Sequence, residues 1–335
     1  MELTFLNRCQ HECRKHPRKI IFADGMDVRV LRTARRIADE NLGFPVIIGN
    51  QTLITGLAER NRVSTRRIQI VPPGRRYERE KIMEKLKPAL NYDRKMILTV
   101  EDKLNDPLSF GILMAETSQR DICFAGNLST QEEMIDKLLQ SGRFMKKAGI
   151  ISGLSVVFDR ENGRPVFFSD CAVIPRPDAE QLAKIAIDTV ESFKAGIDEE
   201  PRVSLLSFST AGSAQHPLVD TIQKAKVLIK AMNPELCVEG EIQFDAAWLP
   251  EIGLKKNPQS LLKEPANIFI FPSLNAGYTA LKIARYLCGC KALGPFIQGR
   301  TGAAHCFSFD MTEEEMYETI LIGAVMRKNE RIIPN

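Results

Sequence analysis

The sequence predicts an α/β protein with mostly parallel sheets, and three observations carry that prediction. Short β-rich runs alternate with helical patterns along most of the chain. Two of the runs, VSLLSF (203–208) and NIFIFP (267–272), are almost continuously apolar, as strands covered on both faces require. Turn residues such as Pro72-Pro73-Gly74 punctuate the runs. Taken in order, KIIF (19–22) reads as the first strand, followed by a helix that Asp27 caps and that steps through Val28, Leu31, Arg35 and Ala38. PVIIG (45–49) and IQIV (68–71) read as the next strands, and DICFAG (121–126) as a buried strand running into small polar residues. From about residue 150 the pattern restarts, with GLSVVF (153–158) and PVFFSD (165–170) forming a hairpin around Asn162-Gly163. Within 178–194, Leu182, Ile185, Ala186, Val190 and Phe193 make one helical stripe. Internal repeats, low-complexity stretches and heptads are absent.

Length and composition narrow the function classes. At 335 residues, and roughly 100 to 200 residues per domain, two domains are expected. The chain is 44% hydrophobic and 26% charged, as ordinary globular proteins are. A net charge of 46 − 42 = +4 is too small for a dedicated nucleic-acid binder. Apolar runs stay well short of a membrane span, and the N-terminus turns charged before a signal-like run can build, so a soluble cytoplasmic protein is expected. The eight cysteines are scattered, which suits reduced, mostly buried thiols. Cys9, Cys13 and His16 would share a helical face near His11, but no second ligand group with zinc spacing follows, and no metal is expected.

In parallel α/β sheets, ligands sit outside the carboxyl ends of the strands, which directs attention to the loops after residues 124, 208 and 271. Three loops there are rich in small and hydroxyl residues: GNLST (126–130), SFSTAGSA (207–214) and PSLNAG (272–277). Exposed amides and hydroxyls beside a helix N-terminus attract anions, which makes Asn127, Ser129, Thr130, Ser207, Ser209, Thr210, Gly212 and Ser213 candidate contacts for a phosphate-bearing ligand. The competing reading is that such residues merely make turns and caps. GxGxxG, GxxxxGK[ST] and GxSxG are all absent, and nothing in the spacing of the four histidines selects a triad. A dehydrogenase or hydrolase therefore has no motif support.

At these loops the sequence resembles the phosphate acetyl/butyryl transferase family, the phosphotransacetylases. The resemblance is densest in SDCAVIPRPDAEQLAKIAID (169–188), PRVSLLSFSTAGSAQHP (201–217), EGEIQFDAAWLPEIGLKKNPQS (239–260), ANIFIFPSLNAG (266–277) and ALGPFIQG (292–299). Weaker similarity runs back through AGNLST and FADGMDVRVL (22–31). LNDPLSF (104–110), AGNLS, and His305 where most members carry Asn look most like the ethanolamine-utilisation branch. The resemblance implies two α/β domains, 1–146 plus 297–335 and 147–296, with an interdomain cleft and an architecture like that of isocitrate and isopropylmalate dehydrogenases. It implies reversible transfer of an acetyl or short acyl group between coenzyme A and phosphate. The thiol would attack acetyl phosphate directly in a ternary complex, with a carboxylate taking the proton, a serine steadying the intermediate and arginines holding phosphate. No tightly bound cofactor is implied, since coenzyme A is a substrate. The other partners would be phosphate, acyl phosphate and a second copy of the chain, and the branch implies association with a bacterial metabolic microcompartment.

The family pattern K-P-(V/M)-(N/H)-D-L-S-R-G aligns with GAAHCFSFD (302–310). Ser308 falls on the serine, but Phe309 stands where the arginine belongs, Cys306 replaces the aspartate and Asp310 the glycine. The acidic base position falls on Glu315; Asp136 reverses a charge after AGNLS, and Tyr278 takes an asparagine's place. Ser308 and Glu315 are thus the candidate catalytic pair, although Thr312 and Glu315 also spell a capping box. Asp245 could position a ligand or cap a helix, and Lys282 and Arg285 could bind substrate or be surface charges. Arg300 and His305 complete the candidates, Arg300 as a compensating cation. Two classes of function remain: an acyltransferase, either of the ordinary kind or with its phosphate grip rebuilt for another acceptor or a longer acyl chain, or an impaired paralogue that binds coenzyme A or acyl phosphate, or acts as a structural partner.

Overall fold

The apolar runs form eleven strands in the computed structural model, which describes residues 1–144, 150–299 and 304–327. They are β1 Lys19–Phe22, β2 Phe44–Ile48, β3 Gln69–Val71, β4 Ile122–Ala125, β5 Ser152–Phe158, β6 Pro165–Ser169, β7 Arg202–Leu206, β8 Cys237–Ile242, β9 Ile268–Ile270, β10 Ala292–Gln298 and β11 Ala304–Cys306. The chain divides into two units, Leu6–Gly149 with Arg300–Asn335 and Met1–Phe5 with Ile150–Gly299. The first five residues thus depart from the expectation of a first domain opening at residue 1. Phe5 packs against Phe158 with ring centroids 6.1 Å apart, and Glu2 pairs with Lys291 at 2.6 Å. Among the described residues, no helix is long and apolar enough to cross a membrane.

In the unit built on Leu6–Gly149, a parallel sheet runs in the order β11-β4-β1-β2-β3. All four β4 residues are buried, as a central parallel strand demands. The helix Val28–Asp39 covers the sheet with Val30, Leu31, Ala34 and Ile37, and Asp27 caps it by accepting the Arg29 N–H, as its position before the apolar stripe predicts. The helix Pro107–Glu116 is buried from Leu108 onward, which accounts for its nearly all-apolar sequence. Gly111 lets that helix close on the sheet: a Cβ there would meet the Ala23 Cβ at 3.0 Å and the Cys123 Sγ at 3.2 Å. Strand order grows outward from β1 to β3 and then returns to β4 on the other side. The carboxyl ends of β1 and β4 therefore flank a topological switch point.

In the unit built on Ile150–Gly299, the order is β10-β5-β6-β9-β7-β8. The predicted hairpin forms β5 and β6, which pair antiparallel, while β6, β9, β7 and β8 pair parallel. The sequence reading passes over β8, whose CVEGEI alternates glutamates with apolar residues. Burial of those glutamates is compensated by Lys226, 2.6 Å from Glu239, and by Gln223, 2.9 Å from Glu241. At the end of β10, the buried Gln298 amide lies 3.0 Å from Ser152 Oγ, 3.1 Å from Ser169 Oγ and 2.8 Å from Thr189 Oγ1. That network ties β5, β6, β10 and the helix Ala179–Gly196 together.

Candidate functional site

The loops at the carboxyl ends of β1, β4 and β11 meet around two aspartates. Just after β1, Asp24 Oδ2 accepts the N–H groups of Gly126 (2.8 Å), Leu128 (3.2 Å) and Ser129 (3.0 Å), and the Ser129 hydroxyl at 2.6 Å. Asn127 is buried and donates its amide to the Asp24 carbonyl at 3.2 Å and to Asp27 Oδ2 at 3.1 Å. Thr130 forms a reciprocal cap with Glu133, whose carboxylate accepts the Thr130 N–H at 2.8 Å while Thr130 Oγ1 accepts the Glu133 N–H at 3.1 Å. The anion-attracting nest expected of GNLST is real, but the protein's own Asp24 fills it. The Asn127 amide and the Ser129 hydroxyl thus serve the loop's own hydrogen bonds, and Thr130 opens the following helix.

Arg29 joins this loop to the segment that carries Ser308. Its guanidinium lies 2.7 Å from Asp27 Oδ2 and donates to the carbonyls of Phe309 (2.9 Å) and Met311 (2.7 Å). Burial pushes the Asp27 carboxyl up, but hydrogen bonds from Arg29 and Asn127 outweigh it and hold Asp27 below the usual range. Half-buried Ser308 follows the end of β11, and the Phe309 side chain projects with 56% exposure from the backbone that Arg29 pins. Further along, Arg32 faces Glu313 at 3.8 Å and Arg36 pairs with Glu314 at 2.5 Å.

Two candidates on this segment change role. Glu315 completes a capping box: its carboxylate accepts the Thr312 N–H at 2.8 Å and its own N–H donates to Thr312 Oγ1 at 3.2 Å. Glutamine can make the same cap, so Glu315→Gln is expected to leave thermal stability and turnover nearly unchanged, whereas Thr312→Ala costs about 1 kcal/mol of stability. A hundredfold rate loss in Glu315→Gln at unchanged Tm would instead restore Glu315 as the base. His305, on β11, is 1% exposed, with its ring 5.7 Å from that of Phe124. A Cβ on Gly323 would come within 2.6 Å of its Cδ2, so the imidazole occupies core space that only a glycine leaves open. His305 is a core residue of its unit.

In the other unit, SFSTAGSA is organised by Glu241, which the sequence reading did not single out. Glu241 is buried, and its Oε1 accepts Gly212 N–H at 2.6 Å and Ser209 Oγ–H at 3.0 Å. Ser213 Oγ accepts the Thr210 N–H at 3.0 Å, and Ser207 Oγ accepts the Ser209 N–H at 3.2 Å. Thr210 Oγ1 accepts the Gln243 N–H at 3.0 Å. Burial raises the Glu241 carboxyl, but the Gly212 N–H and Gln223 amide outweigh it and hold it low. Glu241 thus takes the Ser209 hydroxyl and the Gly212 N–H, while Ser207 bonds within the loop and Thr210 bonds to Gln243. Gly212 and Ser213 face outward, with Gly212 at φ 82° where glycine is favoured. After β6, Asp170 repeats the device, accepting the N–H groups of Gly153, Ala172, Val173 and Ile174.

The remaining candidates are dispersed. Asp245 neither caps a helix nor stands free: it pairs with Lys256 at 2.7 Å, which holds its carboxyl below the usual range. Arg285 donates to the Ala292 carbonyl at 2.7 Å, and Lys282 lies 5.2 Å from the Tyr278 ring centroid. Asp136 is exposed on the helix Gln131–Phe144. Arg300 lies outside the described residues. No group of three metal-capable side chains occurs among the described residues, and Cys9 and Cys13 point into the core, burial pushing the Cys13 thiol up to about 12.

Comparison with known proteins gives one consistent answer. A family model described as phosphate acetyl/butaryl transferase matches residues 4–324. The phosphate acetyltransferase of Bacillus subtilis (strain 168) is 34% identical over 310 residues, covering 91% of this chain and 94% of that protein. A phosphotransacetylase from Streptococcus pyogenes superposes with a TM-score of 0.85 at 28% identity, over 96% of this chain and 97% of its own. EutD phosphotransacetylase from Staphylococcus aureus does so with a TM-score of 0.85 at 27% identity, over 97% and 98% of the two chains.

Proposed function

This chain belongs to the phosphate acetyl/butaryl transferase family, and from that membership we propose how its own residues serve acetyl transfer between coenzyme A and phosphate. The match across residues 4–324 is the observation that carries the reading. In the transfer, the coenzyme A sulfur attacks the acetyl carbon of acetyl phosphate, the new C–S bond forms, the C–O bond to phosphate breaks and the thiol proton leaves to a base. Negative charge builds on the carbonyl oxygen, so a fixed hydroxyl donor lowers the barrier. Ser308 suits that task because Arg29 holds the backbone beside it at Phe309 and Met311. Gly212 and Ser213 are the outward-facing part of the second loop and are the coenzyme A or phosphate contacts we retain there.

Phe309 and Asp136 are proposed to stand at the positions of family arginines. Their presence favours a second reading, a paralogue that binds coenzyme A or acyl phosphate with little turnover. Thiol release from acetyl-, propionyl- and butyryl-CoA, with and without phosphate, separates the two. The transferase reading expects phosphate-dependent release, fastest with acetyl-CoA. Absence of release from all three esters, with acetyl-CoA still binding by calorimetry, would leave the paralogue. LNDPLSF, AGNLS and His305 support placement in the ethanolamine-utilisation branch, and a homodimer is proposed with it, to be read from the sedimentation coefficient.

A further inference from the structure

The sequence contains one pair of cysteines with a single residue between them, Cys288-Gly289-Cys290. It follows the π-helical turn Ile283–Leu287, where the chain leaves the preceding helix for β10. Cys288 is in the right-handed helical region (φ −88°, ψ −10°) and Gly289 is at φ +68°. The middle residue sets the separation of its two neighbours. An extended residue would hold them about 7 Å apart, at the edge of what a disulfide can bridge, whereas a turn brings them inside the roughly 4.4–6.8 Å window. Both cysteines line the same surface cavity of about 410 Å³, beside Asp159, Arg160, Arg164 and Trp248. Among the described residues Cys288 is the exposed cysteine, Cys290 and Cys237 are half-buried, and the rest are buried. Cys290 is anchored by its own N–H to the Ala284 carbonyl at 3.0 Å. The cavity lining therefore carries one exposed thiol and, two residues on, one half-buried thiol.

We propose that Cys288 and Cys290 form a reversible dithiol–disulfide site that reacts with low-molecular-weight disulfides. The Cys288 thiolate attacks one sulfur of the small disulfide, forming a mixed disulfide and releasing the first thiolate. That thiolate takes the Cys290 proton, and the Cys290 sulfur then attacks Cys288 Sγ, forming the internal disulfide and expelling the second small thiolate, which takes up the proton lost by Cys288. The protein loses two electrons and two protons, and the small disulfide becomes two thiols. Exposure makes Cys288 the entry point, because exchange needs an accessible thiolate. Burial and the neighbouring Cys288 both push the Cys290 thiol up, which keeps it protonated until Cys288 has made the first exchange.

The test uses the full chain treated with oxidised glutathione, quenched by alkylation and digested with trypsin, which releases Tyr286–Lys291 with both cysteines in one peptide. That peptide is expected to lose two hydrogens and to carry no alkyl group, and to regain both thiols with dithiothreitol. In Cys290→Ser, a glutathione adduct at Cys288 is expected to persist. In Cys288→Ser, Cys290 is expected to react at least tenfold more slowly. A wild-type peptide that keeps two free thiols, or that stops at a stable glutathione adduct, would overturn the proposal. Buried Cys123 and Cys306, alkylated only after denaturation, report in the same digest that each variant is folded.

Discussion

Replacing Phe309 by arginine is expected to raise phosphate-dependent thiol release about 100-fold, the size of effect that one charge-stabilising donor carries in oxyanion-type sites. The geometry makes this substitution easy to interpret. The Phe309 carbonyl is bonded to Arg29 at 2.9 Å and its side chain is 56% exposed, so a guanidinium would extend from a fixed backbone without being buried. Stability should move by no more than about 0.5 kcal/mol, as for other exposed positions. The gain should appear as a lower KM for phosphate together with a higher kcat, because a cation at the phosphate grips both the bound phosphate and the charge it carries in the transition state. Adding Asp136→Arg should raise it further, though not multiplicatively if both charges act on the same phosphate. Removing the anchor in an Arg29→Ala/Phe309→Arg double variant should abolish the gain. Unchanged phosphate kinetics in folded Phe309→Arg protein would remove Phe309 from the phosphate site and turn attention to other positions.

A loss of stability is expected as pH falls from 6.5 toward 3, and buried His305 is a source of it. Burial lowers the imidazole from 6.5 to about 3 in the folded chain. Between those values the unfolded chain binds a proton that the folded chain refuses, so stability rises with pH across the window and is lost on acidification. At 1.36 kcal/mol per pH unit the full loss is about 5 kcal/mol, comparable with the whole stability of many domains. Asp27 and Glu241 act lower down. Their depressed carboxyls contribute stability above their unfolded values, and that contribution is lost only as pH falls through the folded ones. Urea midpoints measured from pH 7 to pH 4 should therefore fall for the wild type and flatten in His305→Asn, even though the variant starts lower because it loses the Phe124 contact. Parallel slopes in the two proteins would show that another group titrates in this range.

The phosphate-binding expectation shows where sequence reading and structure part. Small residues after a strand do form amide nests in this chain, at Gly126–Ser129 after β4, around Glu241 after β7, and around Asp170 after β6. What fills the first two was not legible, because the occupant comes from a distant part of the chain: Asp24 lies 102 residues before Gly126, and Glu241 lies 29 residues after Gly212, whereas Asp170 holds the amides two to four residues after itself. The only available signals were an acidic residue just past a strand, as in FADG, and paired glutamates inside an otherwise apolar strand, as in CVEGEI. Both are too common to select a contact. The capping box at Thr312 and Glu315 was legible, because both partners lie within one helical turn and no tertiary contact is needed to form it.

Local periodicity, turn chemistry and motif order belong to the sequence by itself. They determined the alternating α/β layout, the hairpin around Asn162-Gly163, the caps at Asp27 and Thr312, and the family, because each depends on residues close together or on an ordered set spanning the chain. The tertiary structure decided which polar groups remain available to a ligand. His305 went into the core, Asp24 and Glu241 went into the nests, and Arg29 went beneath the loop that carries Ser308. The reason is one of desolvation: every buried carboxylate, amide and imidazole must find its partner wherever the fold delivers it, and that pairing is set by three-dimensional proximity that no local pattern encodes.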